Sequence, residues 1–329
     1  MMKRKARWRI WAVICVLTIV LMVVYAYGIS TESPQKPVNY SVVLYEHTDN
    51  EWETLADGMR QAEQDLNIKV NYVHMGRGDT ASDQAAAIQK EIDAGAAGIL
   101  VAASDSEALR KELGGMSFSV PLLFVETGAG NEYPVVRTDD YQMGYELGEA
   151  LLQDIKKRQD DHRVAVICEY MERDSVRLRY EGLVDALKKD NSDIEIETFT
   201  RGSGDYSLSL FIGTLFSKCG SYIVALDKYA TQEAAAAWLS EKSNYEKNGR
   251  EVLIYGIGNT GQTVNDLDNE NLHMLAYQNE FKMGYEGLQC LVDRRSKNWV
   301  DNNVEIRHKL VTKDTLYEYE NERLLFPNT

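Results

Sequence analysis

The sequence predicts an α/β protein of two similar lobes, each built on a parallel sheet. Three observations predict it. Residues 40–73 read as strand, polar loop, amphipathic helix and second strand, the unit from which parallel sheets are assembled. This alternation runs through the chain and starts afresh near residue 163, giving two strand–helix series, each long enough for a lobe. About 290 residues follow the N-terminal segment, the upper end for one core.

The first 39 residues stand apart from that fold. Lys3, Arg4, Lys5, Arg7 and Arg9 precede an apolar run over residues 10–27, and positive charge before an apolar segment keeps an amino terminus in the cytoplasm. Eighteen such residues just cross a bilayer core of roughly 30 Å. A cleaved signal peptide would use Ala26-Tyr27-Gly28; an uncleaved anchor fits the length better, since a signal's apolar region is usually about 7–15 residues. Cys15 lacks the small residues of a lipoprotein cleavage site. Either way the remainder is expected outside the cytoplasm, and the anchor reading tethers it at the cell membrane by one pass. Residues 30–39, with Pro34 and Pro37, form a polar linker.

The elements then follow in order. Residues 41–45 are a short apolar run, as in a strand covered on both faces. Trp52, Leu55, Met59, Ala62 and Leu66 recur at helical spacing, Asn67 closes that helix, and residues 68–73 return as a strand. Helix 80–94 leads to strand 98–102, helix 106–113 to strand 121–125, and a short strand 134–137 follows. Helix 141–157 carries Met143, Leu147, Leu151 and Ile155 on one face. The second series has strand 163–168, helix 175–189 with Val176, Tyr180, Leu183 and Leu187 inward, strand 194–199 and helix 206–216. Strand 221–225, an alanine-rich helix 231–240, a charged loop 244–250, strand 252–255, strand 272–276 and helix 281–292 complete it. Residues 304–326 read as short strands and a charged tail.

The net charge is −15, and about −20 without the five basic residues at the terminus, which excludes a nucleic-acid partner needing basic surface. Cys168, Cys219 and Cys290 are odd in number and widely spaced, so they predict no disulfide framework. The five histidines have no metal spacing, no Gly-x-Ser-x-Gly elbow is present, and no cofactor or metal is expected. Gly256-Ile257-Gly258-Asn259-Thr260-Gly261 spells a dinucleotide fingerprint, but too little chain follows it for a Rossmann sheet, and a flexible crossing between lobes explains the glycines better. Arg77-Gly78-Asp79 reads as a polar turn.

Four stretches together resemble a known family: Trp52-x-x-Leu55-x-x-Gly58; Ile99-Leu100-Val101 leading to Ala103-Ser104-Asp105; Arg177-x-Arg179-x-x-Gly182; and Ala276-Tyr277-Gln278 before a helix near Met283-Gly284. In this order and spacing, over residues 41–311, the chain resembles the type I periplasmic binding proteins. The resemblance is to the ribose- and galactose-binding branch shared with lactose-repressor effector domains. It implies two Rossmann-like lobes joined by a three-segment hinge within domain 40–329. One lobe would hold residues 40–138 and 258–277, the other 139–255 and 281–312. It also implies a small-molecule solute, a sugar, trapped between the lobes, and no catalysis. The partner would be the permease of an ATP-driven (ABC) importer or a membrane sensor histidine kinase.

Carried over residue by residue, the resemblance implies ligand contacts from Tyr45, Asp49, Trp52, Ala102 or Ser104, Glu126 and Thr127 in the first lobe. Arg177, Tyr206 and Asp227 would come from the second, with Asp139, Asn259 and Gln278 near the hinges. Aromatic rings suit the apolar face of a sugar, and carboxylates, amides and a guanidinium suit its hydroxyls. Trp52 and Tyr206 also fit plain packing, Asp227 also fits a helix cap, and Arg177 stands at a helix start, where the dipole disfavours a cation. The chain departs from the branch at Ala102, at Glu126-Thr127 and at Gly258-Asn259, where the branch has Asn, Asp-Arg and Asp. The excess of acid, Asp49, Glu126, Asp139 and Asp227 against one Arg, suits an amino sugar or other cationic solute as readily as a neutral one. Competing classes are an α/β hydrolase and a transcriptional repressor; the latter conflicts with the apolar segment where a helix-turn-helix should stand.

Overall fold

The apolar run after Pro37 forms strand β1, Val38–Leu44, whose last five residues are buried. Helix α1, Glu53–Asp65, follows and buries Leu55, Gly58, Met59 and Ala62, the predicted stripe. The computed structural model describes residues 15–23, 37–45, 52–76, 78–158, 162–189, 193–200, 221–249, 251–295 and 303–321. Contacts divide the chain into two units, Met1–Val38 and Asn39–Thr329.

In the first unit, residues 15–23 are helical and expose Val16, Leu17, Ile19, Val20, Leu21, Met22 and Val23. The predicted apolar run extends beyond the described residues on both sides. Among the described residues, no helix is long and apolar enough to cross a membrane.

The second unit contains two six-stranded sheets of the same plan. Strands β1, β2 (Ile68–His74), β3 (Ile99–Val101), β4 (Leu122–Val125), β5 (Val135–Thr138) and β11 (Val304–Ile306) form the first, in order β11-β5-β4-β3-β1-β2. Strands β6 (Arg163–Cys168), β7 (Glu195–Thr200), β8 (Tyr222–Ala225), β9 (Leu253–Ile257), β10 (Met274–Gln278) and β12 (His308–Val311) form the second, in order β12-β10-β9-β8-β6-β7. The pairs β1–β3, β3–β4 and β4–β5, and β6–β8, β8–β9 and β9–β10, are parallel; β12 joins β10 antiparallel. In both sheets the second strand lies outside the first, so the order reverses between β1 and β3 and between β6 and β8. Ligands of open α/β sheets bind beyond the carboxyl ends at such a reversal.

Helices α2 (Ala81–Asp93) and α3 (Ser106–Gly114) cover the first sheet; α4 (Asp140–Arg158) and α5 (Asp174–Leu187) pack together on the second. Helices α6 (Lys228–Lys247), α7 (Gly261–Asp268) and α8 (Glu280–Arg295) complete the described helices. Two helix pairs cross backbone to backbone in the same manner. Gly58 of α1 lies on the Phe281 carbonyl of α8 and Gly284 on the Leu55 carbonyl; Gly144 of α4 lies on the Arg179 carbonyl of α5 and Gly182 on the Tyr141 carbonyl. A methyl group at any of the four would overlap backbone, so the duplicated plan extends to the packing.

The chain passes between sheets three times: at Asp139 between β5 and α4, at Asn279 between β10 and α8, and at Arg307 between β11 and β12. The three-segment hinge is therefore present, but the expected lobe boundaries are corrected. Residues 258–277 belong to the second lobe, because β9, α7 and β10 form one more strand–helix–strand unit of its sheet. Helix α8 belongs to the first lobe, packed on α1 and β4. Among the described residues, the lobes are 39–138 with 280–306, and 140–278 with 308–321. The glycine-rich stretch 256–261 is the end of β9 and the turn into α7, capped by the Thr260 side chain, rather than a lobe crossing. The charged stretch read as a loop from residue 244 continues α6 to Lys247, since no glycine interrupts it before Gly249. The helix expected over residues 206–216 lies outside the described residues.

Candidate functional site

The carboxyl ends of β1 and β4 meet those of β6 and β8 across the two lobes. Tyr45, directly after β1, is buried; its ring tilts against Trp52 at 4.5 Å between centroids, and its hydroxyl donates to Glu126 Oε2 at 3.2 Å. Glu126, directly after β4, has φ 64°, a left-handed conformation uncommon outside glycine. Its Oε1 lies 3.5 Å from Arg179 Nη2. Arg179, on the inner face of α5, also donates Nε to Asp140 Oδ1 at 2.8 Å and Nη1 to the Leu226 carbonyl at 3.2 Å. Burial pushes the Asp140 carboxyl up to about 7, against the pull of Arg179 and with the help of the Glu126 charge.

A second group of contacts ties the lobes directly. Asp174, the first residue of α5, accepts hydrogen bonds from Thr127 Oγ1 at 2.7 Å, the Gly128 amide at 2.9 Å and Arg137 Nη1 at 2.7 Å, all in the first lobe. Its own amide donates to Ser106 Oγ at 2.9 Å, and the Ser106 amide donates to the Glu172 carbonyl at 3.0 Å. Lys228 at the start of α6 pairs with Glu280 at the start of α8, 2.7 Å apart.

Between these ties, residues 170–173 form a turn after β6, closed by the Arg173 amide on the Tyr170 carbonyl. The turn folds the Arg173 side chain under Tyr170, with its guanidinium carbon 3.8 Å from that ring centroid and 3.6 Å from the Tyr45 centroid. An inner chamber of about 20 Å³ lies behind it, lined in part by Glu126, Arg179, Asp227, Lys228, Gly258 and Gln278. A groove of about 660 Å³ lies in front, between Met75, Thr80, Ser104 and Asp105 of one lobe and Tyr170 and Glu172 of the other. Asp227 caps α6 by accepting the Ala230 amide on Oδ1 at 2.7 Å, while its Oδ2 is buried without a hydrogen-bond partner. Burial pushes the Asp227 carboxyl up, partly offset by the Ala230 amide and the charge of Arg173. Asn259 Oδ1 and Asp140 Oδ2 are likewise buried acceptors with no hydrogen-bond partner. Buried polar atoms without partners are few in folded proteins, and the Asp227 oxygen belongs to a residue that lines the chamber.

Of the residues expected to contact ligand, Tyr45, Glu126, Asp227 and Gln278 line the chamber. Ser104 lines the outer groove with its hydroxyl and amide on Gln84 Oε1. Trp52 is buried behind Tyr45, Thr127 is buried in the Asp174 contact, and Asn259 is buried beside Gly258. Two expectations are corrected. Arg177 is exposed and pairs with Glu181 one helical turn on, because it falls on the solvent face of α5 while Arg179 falls on the inner face. Asp139 is exposed and accepts the Gln142 amide at 2.9 Å, capping α4; the buried carboxylate is its neighbour Asp140. Asp49 and Tyr206 lie outside the described residues. Arg173, Tyr170, Asp140, Asp174 and Lys228 were missed. The helix-dipole argument made for Arg177 applies to Arg173, which occupies the N-cap of α5 with no side-chain capping bond.

The family model for the periplasmic binding protein domain (Peripla_BP_4) matches residues 41–296. No curated protein matches the chain in sequence. Among solved structures, a carbohydrate transporter solute-binding protein from Agrobacterium radiobacter in complex with D-arabinose is similar at TM-score 0.78 and 20% identity, over 88% of this chain and 99% of that one. A glucose-galactose binding protein from Geobacillus stearothermophilus is similar at TM-score 0.70 and 18% identity, over 85% and 99%. A solute-binding protein from Agrobacterium vitis with bound D-fucose is similar at TM-score 0.74 and 16% identity, over 88% and 100%. With its duplicated parallel sheets, its three crossings and a family match spanning both lobes, the chain belongs to the periplasmic binding proteins.

Proposed function

We propose that this protein is an extracytoplasmic solute-binding protein for a sugar, held at the membrane by its N-terminal segment. The observation that carries the reading is the acceptor-rich chamber at the reversal of strand order in both sheets. Asp227 leaves a buried oxygen without a partner there, Asn259 and Asp140 leave others beside the lining residues Gly258 and Arg179, and aromatic rings from both lobes stand at its edge. A polyhydroxylated ring supplies the matching donors and an apolar face for the rings. The structural neighbours solved with D-arabinose and D-fucose support the same class of ligand. Binding is reversible and draws the lobes together, and the closed form is what a partner reads. That partner is an ABC permease, in keeping with structural neighbours that are ABC transporter solute-binding proteins, or a membrane sensor kinase, which a permanent anchor would serve.

A thermal-shift screen of the residue 39–329 unit against a monosaccharide library tests the reading. The melting temperature should rise with concentration of at least one sugar as RT ln(1 + [L]/Kd) requires, with the sugar recovered unchanged. A flat response across pentoses, hexoses and amino sugars would overturn it.

A further inference from the structure

The inner chamber and the outer groove share one wall, made by Tyr45 and Arg173. The chamber, at about 20 Å³, holds roughly one water, while small-molecule pockets usually measure about 300–1,000 Å³. A sugar cannot reach the partnerless oxygen of Asp227 while that wall stands. Arg173 fills a slot between two aromatic rings that come from opposite lobes, Tyr45 from the first and Tyr170 from the second, at 3.6 and 3.8 Å. It does so from the N-cap of α5, where the helix dipole disfavours a cation, so its position depends on these rings and on nearby carboxylates.

We propose that Arg173 is a built-in plug: its guanidinium occupies the stacking slot between Tyr45 and Tyr170 that the sugar ring takes, and binding requires it to swing out. The inference rests on the sugar-binding reading and adds a residue that opposes binding. Displacing the side chain joins chamber and groove into one site and frees both rings for the apolar face of a sugar. Because the plugged form cannot bind, the apparent affinity is the intrinsic one reduced by the unplugged fraction.

The sign of one mutation tests this. Titration calorimetry compares wild type with Arg173→Ala and Arg173→Gln, using D-arabinose, D-allose, D-fucose, D-galactose and D-glucose as probes. Both variants should bind the preferred sugar about tenfold tighter or more, since each cation–ring contact removed from the competitor counts for a few-fold. Tyr170→Ala in the Arg173→Ala background should reverse the gain, as the slot then lacks one face. Weaker or unchanged binding by folded Arg173 variants would overturn the plug alone, making the guanidinium a ligand contact or a bystander. Absence of binding by every protein would overturn the sugar reading and the plug together. Arg173→Gln preserves bulk without charge, so it decides the question if the alanine variant melts early.

Discussion

Replacing Asp174 by alanine removes the largest direct tie between the lobes. Its carboxylate accepts from Thr127, Gly128 and Arg137 at 2.7, 2.9 and 2.7 Å, and the Asp174 and Arg137 side chains are 12% and 24% exposed. Hydrogen bonds to a charged group contribute about 1.5–3 kcal/mol each. Partial exposure and the strain-free return of all three donors to water in the open form reduce the sum, leaving about 3–4 kcal/mol on the closing equilibrium. At about 1.4 kcal/mol per factor of ten, the closed-to-open ratio should fall on the order of 10²–10³-fold. Amide hydrogen exchange at Ser106 reads this, because its amide bonds the Glu172 carbonyl across the lobes without involving the Asp174 carboxylate. Its protection should fall by a similar factor, while protection in the β3 and β6 cores stays unchanged. Asp174→Asn keeps an acceptor for Thr127 and Gly128 and should lose about tenfold. Unchanged protection at Ser106 in Asp174→Ala would refute the argument that these contacts set closure.

Three further outcomes follow from the same geometry. Asp227→Ala should weaken sugar binding by about 10²-fold in calorimetry, through loss of a charged acceptor in the chamber, with the α6 cap costing about 1 kcal/mol of stability seen in denaturant melts. Asp140 has its carboxyl raised to about 7 in the folded state, against about 3.9 unfolded. Its contribution to stability is therefore full below about pH 4 and is lost as pH rises to about 7; Asp140→Asn should flatten that part of the stability–pH curve. Gly182→Ala places a methyl on the Tyr141 carbonyl and should cost about 1–3 kcal/mol in chemical denaturation, with Gly58→Ala behaving alike at the Phe281 carbonyl.

Secondary structure was legible because it is written locally. The stripe Met143, Leu147, Leu151 and Ile155 is buried as its spacing requires, and β6 has the boundaries read from the sequence. Sheet membership was not local. Nothing in residues 258–277 marks which sheet β10 joins; that is settled by α8 crossing at Asn279 to pack Gly284 on α1. The site divides in the same way. Gln278 ends a strand and Tyr45, Glu126 and Asp227 stand one or two residues past one, and strand ends converge by topology, so a strand reading places them. Arg173, Arg177 and Arg179 open one helix, where each residue turns the side chain by about 100°. An uncertainty of one or two residues in the helix start therefore decides which arginine faces inward. Asp139 and Asp140 present the same ambiguity at the start of α4.

Titration calorimetry of the residue 39–329 unit with the best sugar from the library screen tests the central claim most directly. The account predicts saturable binding of one sugar per chain, with no continuing heat of turnover, and binding about 10²-fold weaker in Asp227→Ala. Equal binding by wild type and Asp227→Ala, or a steady heat from consumption of the sugar, would contradict a reversible site between these lobes.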